Sequence, residues 1–176
     1  MSRHKSCILA CLIANLGGCT SALPPSAFDA GQPGMLPEAF FAGATSSSGV
    51  LEDRAGAPTQ RFHVRGAGQL LADGSFRLEQ TVGFDRDPPQ TRTWIMRRVG
   101  THQYSASLTD AAGTVEGEAY GDLFHLRYPM KTPAGGHMEQ WMYLQPDGRT
   151  VMNQATIRVL GIVVAHLSER ITHEDR

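Results

Sequence analysis

Apolar and polar residues alternate with a period of two through most of the chain beyond position 61. Phe76, Leu78, Val82 and Phe84 are interleaved with Arg77, Glu79, Thr81 and Gly83, the pattern of a strand with one buried face. Similar segments occupy positions 62–70, 92–99, 104–108, 115–120, 124–130, 138–144 and 151–160. Turn chemistry separates them: Asp73-Gly74, Asp87-Pro88-Pro89, Asp110 to Gly113, Gly121-Asp122, Pro133 to Gly136, Pro146-Asp147-Gly148 and Gly161. A last apolar segment, 162–167, reads as strand or short helix, and Glu38 to Phe41 as one helical turn. No stretch sustains a helical period. Gly66-Ala67-Gly68 falls inside a strand pattern, where glycine marks a bulge or a close backbone approach.

The pattern predicts an all-β domain of roughly nine or ten strands joined mostly by tight turns. An antiparallel meander of that size must hide its edges. Closure into a lipocalin-like barrel is the expected solution, with a two-sheet sandwich as the alternative. A small barrel either fills its lumen with side chains or holds one small ligand.

The amino-terminal region follows a different pattern. A basic start (Arg3, Lys5) precedes an apolar run ending Leu16-Gly17-Gly18-Cys19. An eleven-residue helix rises only about 16 Å, too short for an ordinary membrane span. Residues 1–18 therefore read as a secretory signal, with a lipobox that directs cleavage before Cys19 and acylation of that cysteine. Thr20, in place of the Asp that retains such proteins at the inner membrane, favours the periplasmic face of the outer membrane. Residues 19–37 carry Pro24, Pro25, Pro33 and Pro37 without periodicity and read as the lipidated cysteine and a flexible tether, reaching about 20–25 Å as a coil. The β domain is expected over residues 38–176. The implied partners are the membrane, through the anchor, and a lipid or other apolar small molecule.

Composition narrows the function further. The formal net charge is −1, and the 16 Lys and Arg residues are scattered, so the sequence lacks the footprint of a nucleic-acid binder. All 3 cysteines lie at or before position 19, which removes thiol chemistry and disulfides from the β domain. No Gly-x-Ser-x-Gly elbow, phosphate-binding loop or zinc-spaced histidine pair is present, and no cofactor is implied. His63 and His125 alternate with apolar residues and are expected on the outer strand face.

One polar and aromatic set stands out: Arg92, Trp94, Arg127, Tyr128, Glu139, Trp141, Tyr143 and Asn153, on strands that a meander brings together. Charged residues pointing inward need partners. Such a cluster grips a ligand head group while aromatic walls hold its apolar body. Two other readings remain open. The set is a structural network in a filled barrel serving as an envelope scaffold or partner-binding module, or Glu139 with Tyr128 or Arg127 performs acid–base isomerase chemistry.

Several segments together resemble domain-of-unknown-function family 3833, a family of uncharacterised bacterial lipoproteins. They include Phe40-Phe41-x-Gly43, Gly49-Val50-Leu51-x-Asp53-Arg54, Arg61-Phe62, Arg92-x-Trp94, Tyr104 and Asp110-x-x-Gly113. Gly117-x-x-x-Gly121, Leu126-Arg127-Tyr128, Trp141-Met142-Tyr143-Leu144, Asn153 and Gly161 complete the series. The resemblance covers residues 38–169 and implies a lipid-anchored envelope protein with no assigned catalytic residue. Glu139 and Gln140 stand where aspartates are associated with that family.

Overall fold

The computed structural model describes residues 22–174. Cys19, the signal segment and the first residues of the expected tether lie outside the described residues. Ten strands follow in chain order: β1 Gly43–Asp53, β2 Pro58–Leu70, β3 Phe76–Phe84, β4 Gln90–Arg98, β5 Gln103–Leu108, β6 Val115–Tyr120, β7 Leu123–Pro129, β8 Gly136–Leu144, β9 Thr150–Val159 and β10 Ile162–His173. Each pairs antiparallel with its sequence neighbours, and β1 pairs with β10 to close a barrel rather than a sandwich. Closure follows from the one-sided alternation: the apolar phases of the strands share one interior, and joining the first and last strands removes both exposed edges.

Nine strand segments are visible in the hydrophobic pattern, and β1 is the one that escapes it. Its inward positions are Thr45, Ser47, Gly49 and Leu51, so its buried face is mostly small and polar. The small residues make room for neighbours. A side chain at Gly49 would begin 2.3 Å from the Phe62 ring. The last apolar segment is strand, not helix, and continues past Leu167 to His173.

One end of the barrel, where the odd-numbered strands begin, is plugged by the residues that precede β1. A single helical turn, α1 (Pro37–Phe40), leads into Phe41. Met35, Phe40 and Phe41 are buried there, the two phenylalanine rings meeting edge-on at 4.9 Å. Glu38 accepts a hydrogen bond from the Tyr104 hydroxyl at 3.1 Å. Burial, followed by the Glu38 charge, pushes the Tyr104 phenol up to about 12. Gly68 is needed at this closure, because a Cβ there would lie 2.0 Å from the Phe41 carbonyl oxygen.

The segment expected as a free tether is packed from Pro25 onward. Pro25–Phe28 forms a 3-10 turn on the outer wall, with the Phe28 ring 5.7 Å from Tyr143 and 6.5 Å from Trp141. Met35 N–H then donates to the Gly121 carbonyl at 2.6 Å. Phe28 and Met35 explain the difference from a coil: each gives a proline-rich segment an apolar anchor worth burying. The folded unit therefore begins well before residue 38.

The opposite end is the mouth. It carries the β9–β10 hairpin, whose two central residues, Leu160 and Gly161, both have positive φ of 50° and 83°. Elsewhere the hairpins follow their turn chemistry. Asp73 and Asp147 accept backbone and hydroxyl hydrogen bonds from the residues just after them, which holds both carboxyls below their ordinary range.

Candidate functional site

The lumen is apolar at both levels along its axis and polar between them. A large core includes Phe76, Leu78, Met96, Phe124 and Met142, and a smaller cluster of Phe62, Val64 and Val82 lies on the β2–β3 side. Between these, polar side chains form a girdle that links seven of the ten strands. Ser47 on β1 donates to Glu169 Oε1 on β10 at 2.5 Å. Asn153 on β9 donates to Glu169 Oε2 at 2.9 Å and to Gln140 Oε1 on β8 at 3.1 Å. Gln140 Nε2 donates to the Tyr128 hydroxyl on β7 at 3.1 Å. Trp94 on β4 meets the Tyr128 ring edge-on at 5.9 Å and donates its indole N–H to Gln80 Oε1 on β3 at 2.8 Å.

Register explains the path. Asn153 and Glu169 are direct cross-strand partners, as are Gln80 and Arg92. The other links run diagonally between strands, as expected where strands tilt around a barrel axis. The bonds also have a direction. Glu169 accepts at both oxygens, so the amides of Asn153 and Gln140 turn their donors and acceptors in sequence. The chain ends on a Tyr128 hydroxyl that accepts from Gln140 and keeps its own proton without a protein acceptor among the described residues. Burial pushes the Tyr128 phenol up to about 12, against the opposing pull of the Arg92 charge.

Arg92 lies beside this girdle, near the mouth. Among the described residues its guanidinium makes no hydrogen bond, and its ion-pair partner is Asp110 at 3.8 Å. Its Nε is buried without a partner, and so is Asn153 Oδ1. Unsatisfied buried polar atoms are rare in native interiors. Gln80 spends its carbonyl on Trp94, and among the described residues its amide nitrogen has no protein acceptor.

Arg92 and Gln80 face a cavity of about 60 Å³. Its walls include Phe76, Met96, Phe124 and Met142, and its polar side includes Gln80, Arg92, Gln140 and Glu169. That volume accommodates a few water molecules rather than a drug-sized ligand. Toward the mouth, the inward-facing Leu51, Phe84, Ile157 and Leu167 are only half-buried.

The eight residues singled out in the sequence divide into two sets. Arg92, Trp94, Tyr128 and Asn153 point into the lumen and lie in or beside the girdle. Arg127, Glu139, Trp141 and Tyr143 are on the outer wall. Arg127 is exposed, 3.7–3.8 Å from Glu118 and Glu116. Glu139 is bonded to His125 at 3.1 Å and Arg158 at 3.0 Å, Trp141 packs on the His125 ring at 4.0 Å, and Tyr143 lies beside Phe28. His125 is on the outer face, as its alternation indicates, yet Trp141 and its neighbours leave it only 4% exposed. Glu139 and Tyr128 are therefore on opposite sides of the barrel wall and share no site.

Four girdle residues are absent from the sequence-based set: Ser47, Gln80, Gln140 and Glu169. A signal exists for three of them, and in β3 it is Gln80 in the phase of Phe76, Leu78 and Val82. Met138, Gln140, Met142 and Leu144 share one phase of β8, and Leu167, Glu169 and Ile171 share one phase of β10. A polar residue in an apolar phase marks a luminal group. In β8 the Trp141–Tyr143 phase competes as a candidate inner face, and the packed Phe28 turn accounts for its aromatic content.

Barrel and girdle together define a small lipocalin-like barrel whose apolar interior carries a polar girdle. The family model "Protein of unknown function (DUF3833)" matches residues 13–173, and the chain belongs to that family. Among solved structures, the S-type phycobiliprotein lyase from Guillardia theta is similar at a TM-score of 0.62 and 13% identity, over 81% of this chain and 94% of that one. A protein of unknown function from the DUF3598 family of Nostoc punctiforme is similar at a TM-score of 0.60 and 14% identity, over 80% of this chain and 50% of that one. A search of curated proteins finds no match.

Proposed function

We propose that the protein is a lipoprotein of the bacterial envelope, acylated at Cys19 and held at the periplasmic face of the outer membrane. Its barrel binds a small amphipathic molecule drawn from its lipid surroundings. The observation that carries the binding reading is Arg92, a luminal guanidinium with a buried, unpartnered Nε. Arg92 and the Gln80 amide, which line the cavity, offer donors, so the ligand's polar part presents acceptor oxygens, as a carbonyl, ester or carboxylate does. Its apolar part lies among Phe76, Met96 and Met142. The two methionines supply adaptable walls that rearrange as the 60 Å³ space enlarges.

The small cavity favours a second reading, a filled barrel that serves as an envelope scaffold. Native mass spectrometry on a form beginning at Thr20, followed by organic extraction, separates the two. A reproducible bound mass that weakens about tenfold in Arg92→Ala supports ligand binding. A bare chain that also takes up no added fatty acid or monoacylglycerol supports the scaffold. For the address, Cys19→Ala is expected to abolish acyl labelling and release the protein from membranes. Retained membrane attachment would refute the anchor.

A further inference from the structure

The β9–β10 turn does not have the residues its backbone favours. Positive φ at both central positions is the requirement of a type I′ hairpin, normally met by Asn-Gly or Gly-Gly. Here the first position is Leu160 at φ 50°, a conformation disfavoured for a branched apolar side chain. Leu160 is also 85% exposed, and Ile162 immediately after the turn is 66% exposed. Neither folding nor solubility explains an apolar side chain placed on a strained, solvated tip.

The tip stands at the mouth, above the half-buried Leu51, Phe84 and Ile157. Neighbouring mouth loops carry both signs of charge, with Asp53 beside Arg54 and Asp85 beside Arg86, so no electrostatic field of one sign accompanies the apolar tip. At the plugged end the exposed Leu70 and Val99 are isolated among charges, including the Arg97–Asp73 pair.

Chain length supplies the second argument. Phe28 packs closest to Tyr143, near the far end of β8, whose first residue, Gly136, is at the mouth. The strand between these levels runs about 23 Å, or about 18 Å along the barrel axis at the usual strand tilt. Five residues lie between Cys19 and Pro25, the start of the packed turn, and the chain steps joining them cover about 20 Å when extended.

We infer that the mouth of the barrel seats on the lipid bilayer, with Leu160 and Ile162 inserted at its interface and the lumen opening toward the lipid. This inference rests on the reading of Cys19 as the anchor. The occupant of the apolar tip is the membrane that holds the acyl chains. Insertion of two apolar side chains by a few ångströms suits an interfacial contact, and the acyl anchor makes even a weak contact persistent. In this arrangement an amphipathic molecule leaves the bilayer and meets Arg92 without crossing water.

The test uses the full acylated chain in phosphatidylcholine vesicles with brominated acyl chains. An added indole, from Leu160→Trp or from Leu70→Trp at the plugged end, is compared with the parent chain and its 2 native tryptophans. Intact mass reports acylation in the same samples, and circular dichroism reports folding. The added emission is expected to be quenched about twofold more in Leu160→Trp than in Leu70→Trp. Equal or reversed quenching on acylated chains would overturn the seating and leave the anchor intact. If the mass shows no acylation, the anchor reading fails, and vesicle flotation of the same chain decides the tip. Flotation lost in the Leu160→Asp, Ile162→Asp double variant retains a mouth contact, and absence of flotation in the parent overturns it.

Discussion

Asn153 and Arg127 are both polar residues on barrel strands, but they occupy opposite faces and differ in what they hold together. Asn153 is 2% exposed and donates to both Glu169 and Gln140, so its removal leaves a buried Gln140 oxygen and a half-buried Glu169 oxygen short of a donor. Asn153→Leu is expected to destabilise the protein by about 2–4 kcal/mol in urea denaturation. Arg127→Ala removes only exposed pairs at 3.7–3.8 Å and is expected to change stability by less than about 0.5 kcal/mol. An equal effect of the two substitutions would contradict the girdle. At this scale the sequence identified Arg92, Trp94, Tyr128 and Asn153 as noteworthy and placed them with four outer-wall residues. Residue type alone does not distinguish an inward Arg from an outward one, because the hydrogen bonds that make burial tolerable come from other strands.

Strand phase decides which residues reach the lumen, and β8 shows how a wrong choice arises. Its two faces read Met138, Gln140, Met142, Leu144 and Glu139, Trp141, Tyr143, and both are rich in large side chains. Phe28 covers the second face from outside, so its aromatics pack without being luminal. β1 illustrates the opposite problem, since Thr45, Ser47 and Gly49 carry no hydrophobic signal yet form one wall of the closure. The Gly66-Ala67-Gly68 segment was clearer, because glycine within a strand indicates close approach. Its partner, the Phe41 backbone, became visible only in the fold. Gly68→Ala is expected to cost about 2–4 kcal/mol, since the clash is with a carbonyl oxygen rather than a movable side chain. Thermal unfolding checks this, and an unchanged Tm would show that the plug shifts freely.

At the scale of the molecule, stability depends on a seam between the two ends of the chain. β1 and β10 pair from Thr45–His173 to Asp53–Ala165, so the barrel closes only when the last strand is made. A chain ending at Gly161 would expose the long edges of β1 and β9 and lose Glu169 from the girdle. It is expected to aggregate or unfold, and a monomeric peak of native retention in size-exclusion chromatography would argue against an obligatory seam. The sequence by itself determined the antiparallel meander, its turns and its family, because alternation and turn chemistry are local properties. It also determined that Cys19 is the last cysteine in the chain. Only the tertiary structure decided which face of each strand is luminal, that the proline-rich segment packs on the barrel, and which polar residues join in the girdle. Those outcomes depend on register and closure between residues far apart in the chain, 122 positions in the Ser47–Glu169 bond, and no local pattern encodes that contact.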